Sequence, residues 1–282
     1  MVNNNKRIHI LSAASGLTFK LMHIADQQVF SWYNKQEYPK KECDFCKFSQ
    51  AEEKLMHSLV KTDVSLFAGH ELLVAPVHGG EYIGVHLKHM LNIVDENNKA
   101  AIAFEGSKNA PIKNYHFSCH YISDKSHLLI TADIHQTFFE EVISQDNVSF
   151  GIFNVHGRNP ICIKSPSADT IINAFHELEN HIGVNYSTND HPYINLVMWK
   201  EGQDYILIAI PRAVYKPTEF YDENNSWNIA PGVLEMSGLY LIPDHSEPTS
   251  FKPEQLEQIN AEVSFNNSHI LEILNELDLS NI

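Results

Sequence analysis

The sequence predicts an α+β protein in which a strand-rich unit with one inserted helix occurs twice. Three observations predict it. Short runs with two-residue alternation or continuous apolar character recur, at 71–77, 114–122, 148–155, 161–164 and 205–210. Each half holds a segment with helical spacing, 90–103 in the first and 167–180 in the second. Turn residues such as Gly79-Gly80, His156-Gly157-Arg158-Asn159-Pro160 and Lys200-Glu201-Gly202-Gln203-Asp204 separate the runs. No obvious sequence identity relates the two halves.

In chain order, residues 1–40 read as an irregular lead-in with a helix over 17–35, from the spacing of Leu17, Leu21, Ile24, Val29 and Phe30. Cys43-Asp44-Phe45-Cys46 is a tight knuckle. Strands are expected at 64–67 and 71–77 around Ala68-Gly69-His70, and at 82–85, ending at His86-Leu87-Lys88-His89. The helix over 90–103 follows. Gly106, Ser107, Asn109 and Pro111 then make an irregular loop whose small residues would let backbone N–H groups approach a phosphate. A plain surface loop fits equally. After the strand at 114–122, the pattern reads as a short strand at 128–131 and a helix at 132–144, then a hairpin-like pair at 148–155 and 161–164. Ser167 or Asp169 caps the helix over 167–180, with Ile171, Ile172, Phe175 and Leu178 on one face. A hairpin at 195–199 and 205–210 and a last strand at 238–242 precede a helical tail beyond Pro253. The implied division is 1–40 lead-in, 41–147 first half, 148–245 second half and 246–282 tail.

Composition excludes some roles. A net charge of −15 opposes non-specific binding to nucleic-acid backbones and anionic membranes. Small phosphorylated ligands remain compatible, because a local cation cluster or helix N-terminus can hold them in an acidic protein. No stretch has the apolar length of a membrane span, and the N-terminal segment lacks the apolar core of a signal peptide, so the cytoplasm is the expected compartment. In a reducing compartment a Cys-x-x-Cys pair is a metal or redox candidate rather than a disulfide. With 17 histidines, any one of them is weak evidence.

The chain centres on Asn114-Tyr115-His116-Phe117-Ser118-Cys119-His120-Tyr121-Ile122. As a strand it places His116, Ser118 and His120 on one face and Phe117, Cys119 and Tyr121 on the other. Any half-buried strand with one solvent face shows such alternation.

Together with Leu72-Leu73-Val74-Ala75-Pro76, the segment from Phe104 to His120, Ala209-Ile210-Pro211-Arg212 through Tyr215-Lys216-Pro217, and Pro231-Gly232-Val233-Leu234-Glu235-Met236-Ser237-Gly238-Leu239-Tyr240-Leu241-Ile242-Pro243, this strand resembles a known family. The chain is similar to the histidine-triad (HIT-like) superfamily, in its galactose-1-phosphate uridylyltransferase, dinucleoside-polyphosphate and GDP-hexose phosphorylase branch. The resemblance runs from about Cys43 to Pro243. It implies two fused HIT-like halves around mixed, largely antiparallel sheets, with the full active site in the first.

The resemblance implies a structural zinc ion held by Cys43, Cys46, His89 and His116, a Cys2His2 set suited to a closed tetrahedral site. His86 is the nearest rival for the third ligand and His78 a remoter one. The triad departs from the family's His-x-His-x-Gln/His. If His116 is the middle residue, Asn114 and Ser118 flank it. In the preferred register His116 comes first, Ser118 stands where the family has its nucleophilic histidine, and His120 is third. A serine hydroxyl needs a base, and His120, two residues along the same face, is the candidate acid or base.

Arg212 and Lys216 lie in a segment that in the family faces substrate phosphates, Ser107 and Asn109 are loop candidates for phosphate oxygens, and Glu235 lies in a loop bordering the active site. Arg158 and Lys164 are weaker phosphate candidates. The expected function is a nucleotide-phosphoanhydride enzyme: a nucleotidyltransferase, phosphorylase or hydrolase. The alternative is a catalytically retired or repurposed nucleotide-binding protein that retains zinc. The expected partner is a nucleotide or nucleotide-sugar, with no nucleic acid, no membrane, and a homodimer allowed.

Overall fold

Two sheets organise the protein, seen in a computed structural model that describes residues 8–14, 18–24, 58–60, 66–78, 83–106, 116–136, 140–145, 147–153, 155–186, 194–214, 216–221, 229–243, 246–247, 250–280 and 282. The first half of the chain contributes β1 (Ile8–Ser12), β2 (Thr18–Ile24), β3 (Ser58–Val60), β4 (His70–His78), α1 (Gly84–Glu96), β5 (Ala101–Phe104), β6 (His116–Ile122) and α2 (Ile130–Gln136). Then come β7 (Glu140–Gln145), β8 (Val148–Ile152), β9 (Ile161–Ser165), α3 (Ala168–Tyr186), β10 (Ile194–Glu201) and β11 (Asp204–Pro211). The chain closes with α4 (Val233–Met236), β12 (Leu239–Pro243), α5 (Pro253–Val263) and α6 (Asn267–Asn275). The fold is α+β, as the sequence predicts. Among the described residues no helix is long and apolar enough to cross a membrane.

The larger sheet runs β3-β4-β6-β5-β10-β11-β9-β8-β7, all antiparallel. Its order contains a repetition. The elements β3, β4, α1, β5, β6 lie in the spatial order first, second, fourth, third, and β8, β9, α3, β10, β11 lie in that order too. The two third strands, β5 and β10, pair at the join, with Leu196 opposite Phe104 and Trp199 opposite Ala101. A smaller sheet, β1-β2-β12, includes the parallel pair β2·β12.

Both faces of the large sheet are buried, so its central strands are continuously apolar rather than alternating. On one face, Leu73, Ile102, Cys119, Leu196, Met198 and Leu207 pack against α1, α3 and α6. On the other, Ala101, Ala103, Ile122, Val197, Trp199, Ile206, Ile208 and Ile210 meet α4, β12 and β2. The helix α3 forms because Ile171, Ala174, Phe175, Leu178 and Ile182 recur at helical spacing, all buried, while Ser167 accepts the Thr170 N–H at 3.2 Å as its cap. Trp199 is fully buried, with its indole N–H on Glu201, so it is a packing residue.

Several predicted elements differ. The helix over 17–35 is contradicted where it is described: Thr18–Ile24 is a strand, with apolar spacing compatible with either period, and its backbone pairs on both edges with β1 and β12. Of the strand predicted over 82–85, the described residues 83–85 are instead the start of α1, where the Leu87 N–H bonds to Ile83 O at 3.0 Å. That helix ends at Glu96. Ala101-Ile102-Ala103, helical by propensity, pairs between β6 and β10. The strand over 128–131 is a turn leading into α2, and the helix over 132–144 stops at Gln136 before edge strand β7. Leu66 and Phe67, predicted in a strand, lie outside one, and β3 at Ser58–Val60 was not foreseen.

Candidate active site

Strand β6 sits between β4 and β5, two neighbours that fix the side on which each residue emerges. Cys119, 2% exposed, packs with Leu87, Met90 and Leu91 of α1, and burial pushes its thiol far above its ordinary range. Cys162 is buried too, its thiol pushed up to about 12, so both are packing thiols rather than reactive ones. His120 follows Cys119 on the opposite face, 8% exposed, with Leu72 and Ala103 as its cross-strand partners.

A second histidine completes the centre. Gly69, at φ +79, turns the chain into β4; a Cβ there would lie 1.8 Å from Ser123 Oγ, so the turn requires glycine. The next residue, His70, is 2% exposed and lies diagonally from His120 across the β4·β6 pair. Its Nε2 is 3.1 Å from His120 Nδ1, and its Nδ1 accepts the Leu66 backbone N–H at 2.9 Å. Phe67 packs on His70 and on His127. The sequence reading gave His70 no role. The signal it missed was register: a histidine opening the strand beside β6, two positions before the one opposite His120.

Farther along β6, Ser118 stands opposite Val74 and His116 opposite His78. Continuing the β5·β6 register by two residues sets Glu105 beside Ser118, and continuing the β5·β10 register by one sets Asn195 beside Glu105. Asn195 is fully buried, and neither its amide nitrogen nor its oxygen has a partner among the described residues. A buried unsatisfied amide costs about 1–3 kcal/mol, so such a residue in an otherwise apolar strand marks a place where a polar guest can be received. It too escaped the sequence reading, although an Asn inside Ile194-Asn195-Leu196-Val197-Met198 was a visible interruption.

Above this row lies the N-terminus of α4. Gly232 N–H donates to Glu235 Oε2 at 2.9 Å, and a Cβ on Gly232 would meet Glu105 Oε2 at 2.7 Å and Glu235 Oε2 at 3.2 Å. The two carboxylates therefore converge on one glycine. Burial, reinforced by Glu105, pushes the Glu235 carboxyl up to about 7. Glu235 is thus buried and hydrogen-bonded, with Glu105 as its neighbour.

No protein-family model matches the chain, and no curated protein sequence matches it. Solved structures do. Yeast Ap4A phosphorylase Apa2 in complex with AMP aligns at a TM-score of 0.57 and 12% identity, over 93% of this chain and 89% of that one. The same enzyme in complex with Ap4A aligns at 0.56 and 10%, over 93% and 90%. A uridylyltransferase aligns over 96% of this chain at only 0.42, too loosely to carry an argument. The chain shares the fold of yeast Ap4A phosphorylase Apa2.

Within that fold the predicted site residues fall into three groups. Ser118 and His120 share β6, and Glu235 closes over the neighbouring strand end. Arg212, 3% exposed, ends β11 in a bridge with Ser264, and its charge reaches the buried Tyr240 hydroxyl. Lys216 is half-buried with Nζ 3.8 Å from the centre of the Phe220 ring. Ser107, Asn109, Cys43 and Cys46 lie outside the described residues.

Arg158 does not serve as a surface phosphate ligand. It is fully buried, donating to Val155 O, to Met236 O and, at 3.1 Å, to Asp133 Oδ2. Lys164 pairs with Asp204 at 3.1 Å.

For zinc, the donor set Cys2His2 is chemically apt. β6 begins at His116 opposite His78, the last residue of β4, whereas His89 is exposed on α1, which packs on the sheet face that Cys119 lines. Among the described residues no cluster of three His, Cys, Asp or Glu side chains forms a metal site.

Proposed function

We propose that this protein acts on the phosphoanhydride of a nucleoside di- or polyphosphate, as a nucleotidyltransferase, phosphorylase or hydrolase. The observation that carries the reading is the polar row on one sheet face, Ser118, Glu105 and Asn195 by register with His70 and His120 beside it, in a fold shared with an enzyme solved with AMP and Ap4A. The row lies where an otherwise apolar sheet face turns polar, and an Asn amide and an imidazole suit phosphate oxygens. Ser118 takes the position of the family's nucleophile, and His120 is the imidazole next to it. Arg212 and Lys216 would serve the distal phosphates, Ser107 and Asn109 the loop contacts, and Glu235 the border of the site.

Cys43, Cys46, His89 and His116 would hold a structural zinc that ties the knuckle to β6. The repeated strand order supports reading the chain as two HIT-like halves joined at β5·β10. Purified protein incubated with ATP, GTP, UDP-sugars and dinucleoside polyphosphates, with and without inorganic phosphate, should convert at least one of them to products visible by mass spectrometry. Turnover of none would refute the enzyme reading.

The serine at the nucleophile position favours a second reading, a nucleotide-binding protein without turnover. In that case nucleotides raise the melting temperature, and Ser118→Ala changes nothing else.

A further inference from the structure

We infer that His70 is a positioning residue that holds His120 in one tautomer, with its ring proton on Nε2, and so makes it a hydrogen-bond donor rather than a base. The Leu66 backbone N–H can only donate, so His70 Nδ1, 2.9 Å away, is unprotonated. A neutral imidazole without a proton on Nδ1 carries it on Nε2. His70 Nε2 is the atom 3.1 Å from His120 Nδ1, so His70 donates and His120 Nδ1 accepts. The remaining proton of His120 is therefore on Nε2.

The geometry fits a real bond. The 5.3 Å between ring centres exceeds the nitrogen–nitrogen distance of 3.1 Å by just the two ring radii, and the rings are 25° from coplanar. The bond therefore runs along the line of centres and near both ring planes, where the nitrogen lone pair and N–H lie. Placing a second proton on His120 would set two N–H groups head to head at Nδ1. Relief would require His70 to turn over and abandon the Leu66 N–H, at positions only 2% and 8% exposed.

The consequence rests on the proposed nucleotide site. A donor Nε2–H on His120 can hydrogen-bond a non-bridging phosphate oxygen, while proton removal from Ser118 or from an acceptor falls to another group. Transfer without a histidine-activated serine is the route this arrangement favours.

The test is the 15N and 1H spectrum of histidine-labelled full-length protein, with the His120 signals assigned by loss in His120→Gln. At about pH 7 we expect an unprotonated, pyridine-like Nδ1 and a protonated Nε2 for His120, and an unprotonated Nδ1 for His70. His70→Leu should return His120 to a mixture of tautomers. His70→Gln should restore the single tautomer, because a carboxamide can accept from Leu66 and donate to His120 together. His120 protonated on Nδ1 in the unmodified protein, or an unchanged His120 spectrum in a folded His70→Leu variant, would overturn the inference. The readout needs no substrate, so the single tautomer found in a protein that turns over no nucleotide refutes the proposed activity and leaves this inference standing.

Discussion

Replacing Arg158 with methionine tests the internal architecture under the site. The guanidinium is fully buried and joins three pieces of chain: the Val155–Arg158 bridge through Val155 O, α2 through Asp133 Oδ2 at 3.1 Å, and the end of α4 through Met236 O. Burial lowers its proton affinity and Asp133 raises it, the balance expected of a desolvated ion pair. Methionine fills much of the volume but takes the guanidinium away from Met236 O and the Asp133 carboxylate, while Val155 O keeps the backbone N–H of residue 158 at 3.0 Å. His156 Nε2, 3.6 Å from Asp133 Oδ1, supplies part of the compensation. Removing one partner of a buried pair costs roughly 3–5 kcal/mol, and the remaining contact with His156 sets the expectation at the lower end, about 3 kcal/mol. Urea denaturation followed by circular dichroism should show a lower midpoint at unchanged slope. Adding Asp133→Leu should recover part of the loss, because both members of the pair are then gone. A loss below about 1 kcal/mol for Arg158→Met would refute the reasoning.

Three further outcomes follow from other sites. Burial pushes the Glu179 carboxyl on α3 up to about 7 from 4.5, so the native state holds its proton more tightly than the unfolded chain. Its contribution is fully present below about pH 4.5 and is lost as pH rises through about 7; Glu179→Gln should therefore gain on the unmodified protein by up to about 3 kcal/mol between those limits, in urea melts across pH. A gain independent of pH would contradict this. Asn195→Leu should stabilise the free protein by about 1–2 kcal/mol, by removing an unsatisfied buried amide, and should weaken nucleotide-induced thermal shifts; a stabilised variant with undiminished shifts would remove Asn195 from the site. Metal analysis should find about one zinc per chain, lost in Cys43→Ser, and an unchanged content in that variant would rule the knuckle out as ligand.

The strands and the helix of the second half were legible because they obey their periods without competition. β8 to β11 are predominantly apolar runs set off by turn formers such as Asn147, Pro160, Pro166 and Gly202, and α3 has both a cap and a clean apolar face. The misread elements are those whose state is decided by partners far along the chain. Ala101-Ile102-Ala103 has nothing local against a helix, yet it is the strand on which β6 and β10 meet. Leu21 and Met22 fit either period until β12, more than two hundred residues later, pairs beside them. The site was legible in part for the same reason. His120 and Ser118 were found because they lie on one strand, where spacing alone gives their faces. His70, Glu105 and Asn195 join them only through register between strands, which a sequence does not print.

Binding and cleavage of a nucleoside phosphoanhydride on the β6 face can be tested by a single-turnover comparison. The protein, Ser118→Ala and His120→Ala are each incubated with dinucleoside polyphosphate or nucleotide-sugar and inorganic phosphate, and the products are quantified by mass spectrometry. Nucleotide products are expected from the unmodified chain, with a loss of about a hundred-fold or more in His120→Ala, the order of effect of removing one donor to a charged transition state. Product formation that is equal in all three proteins would contradict it.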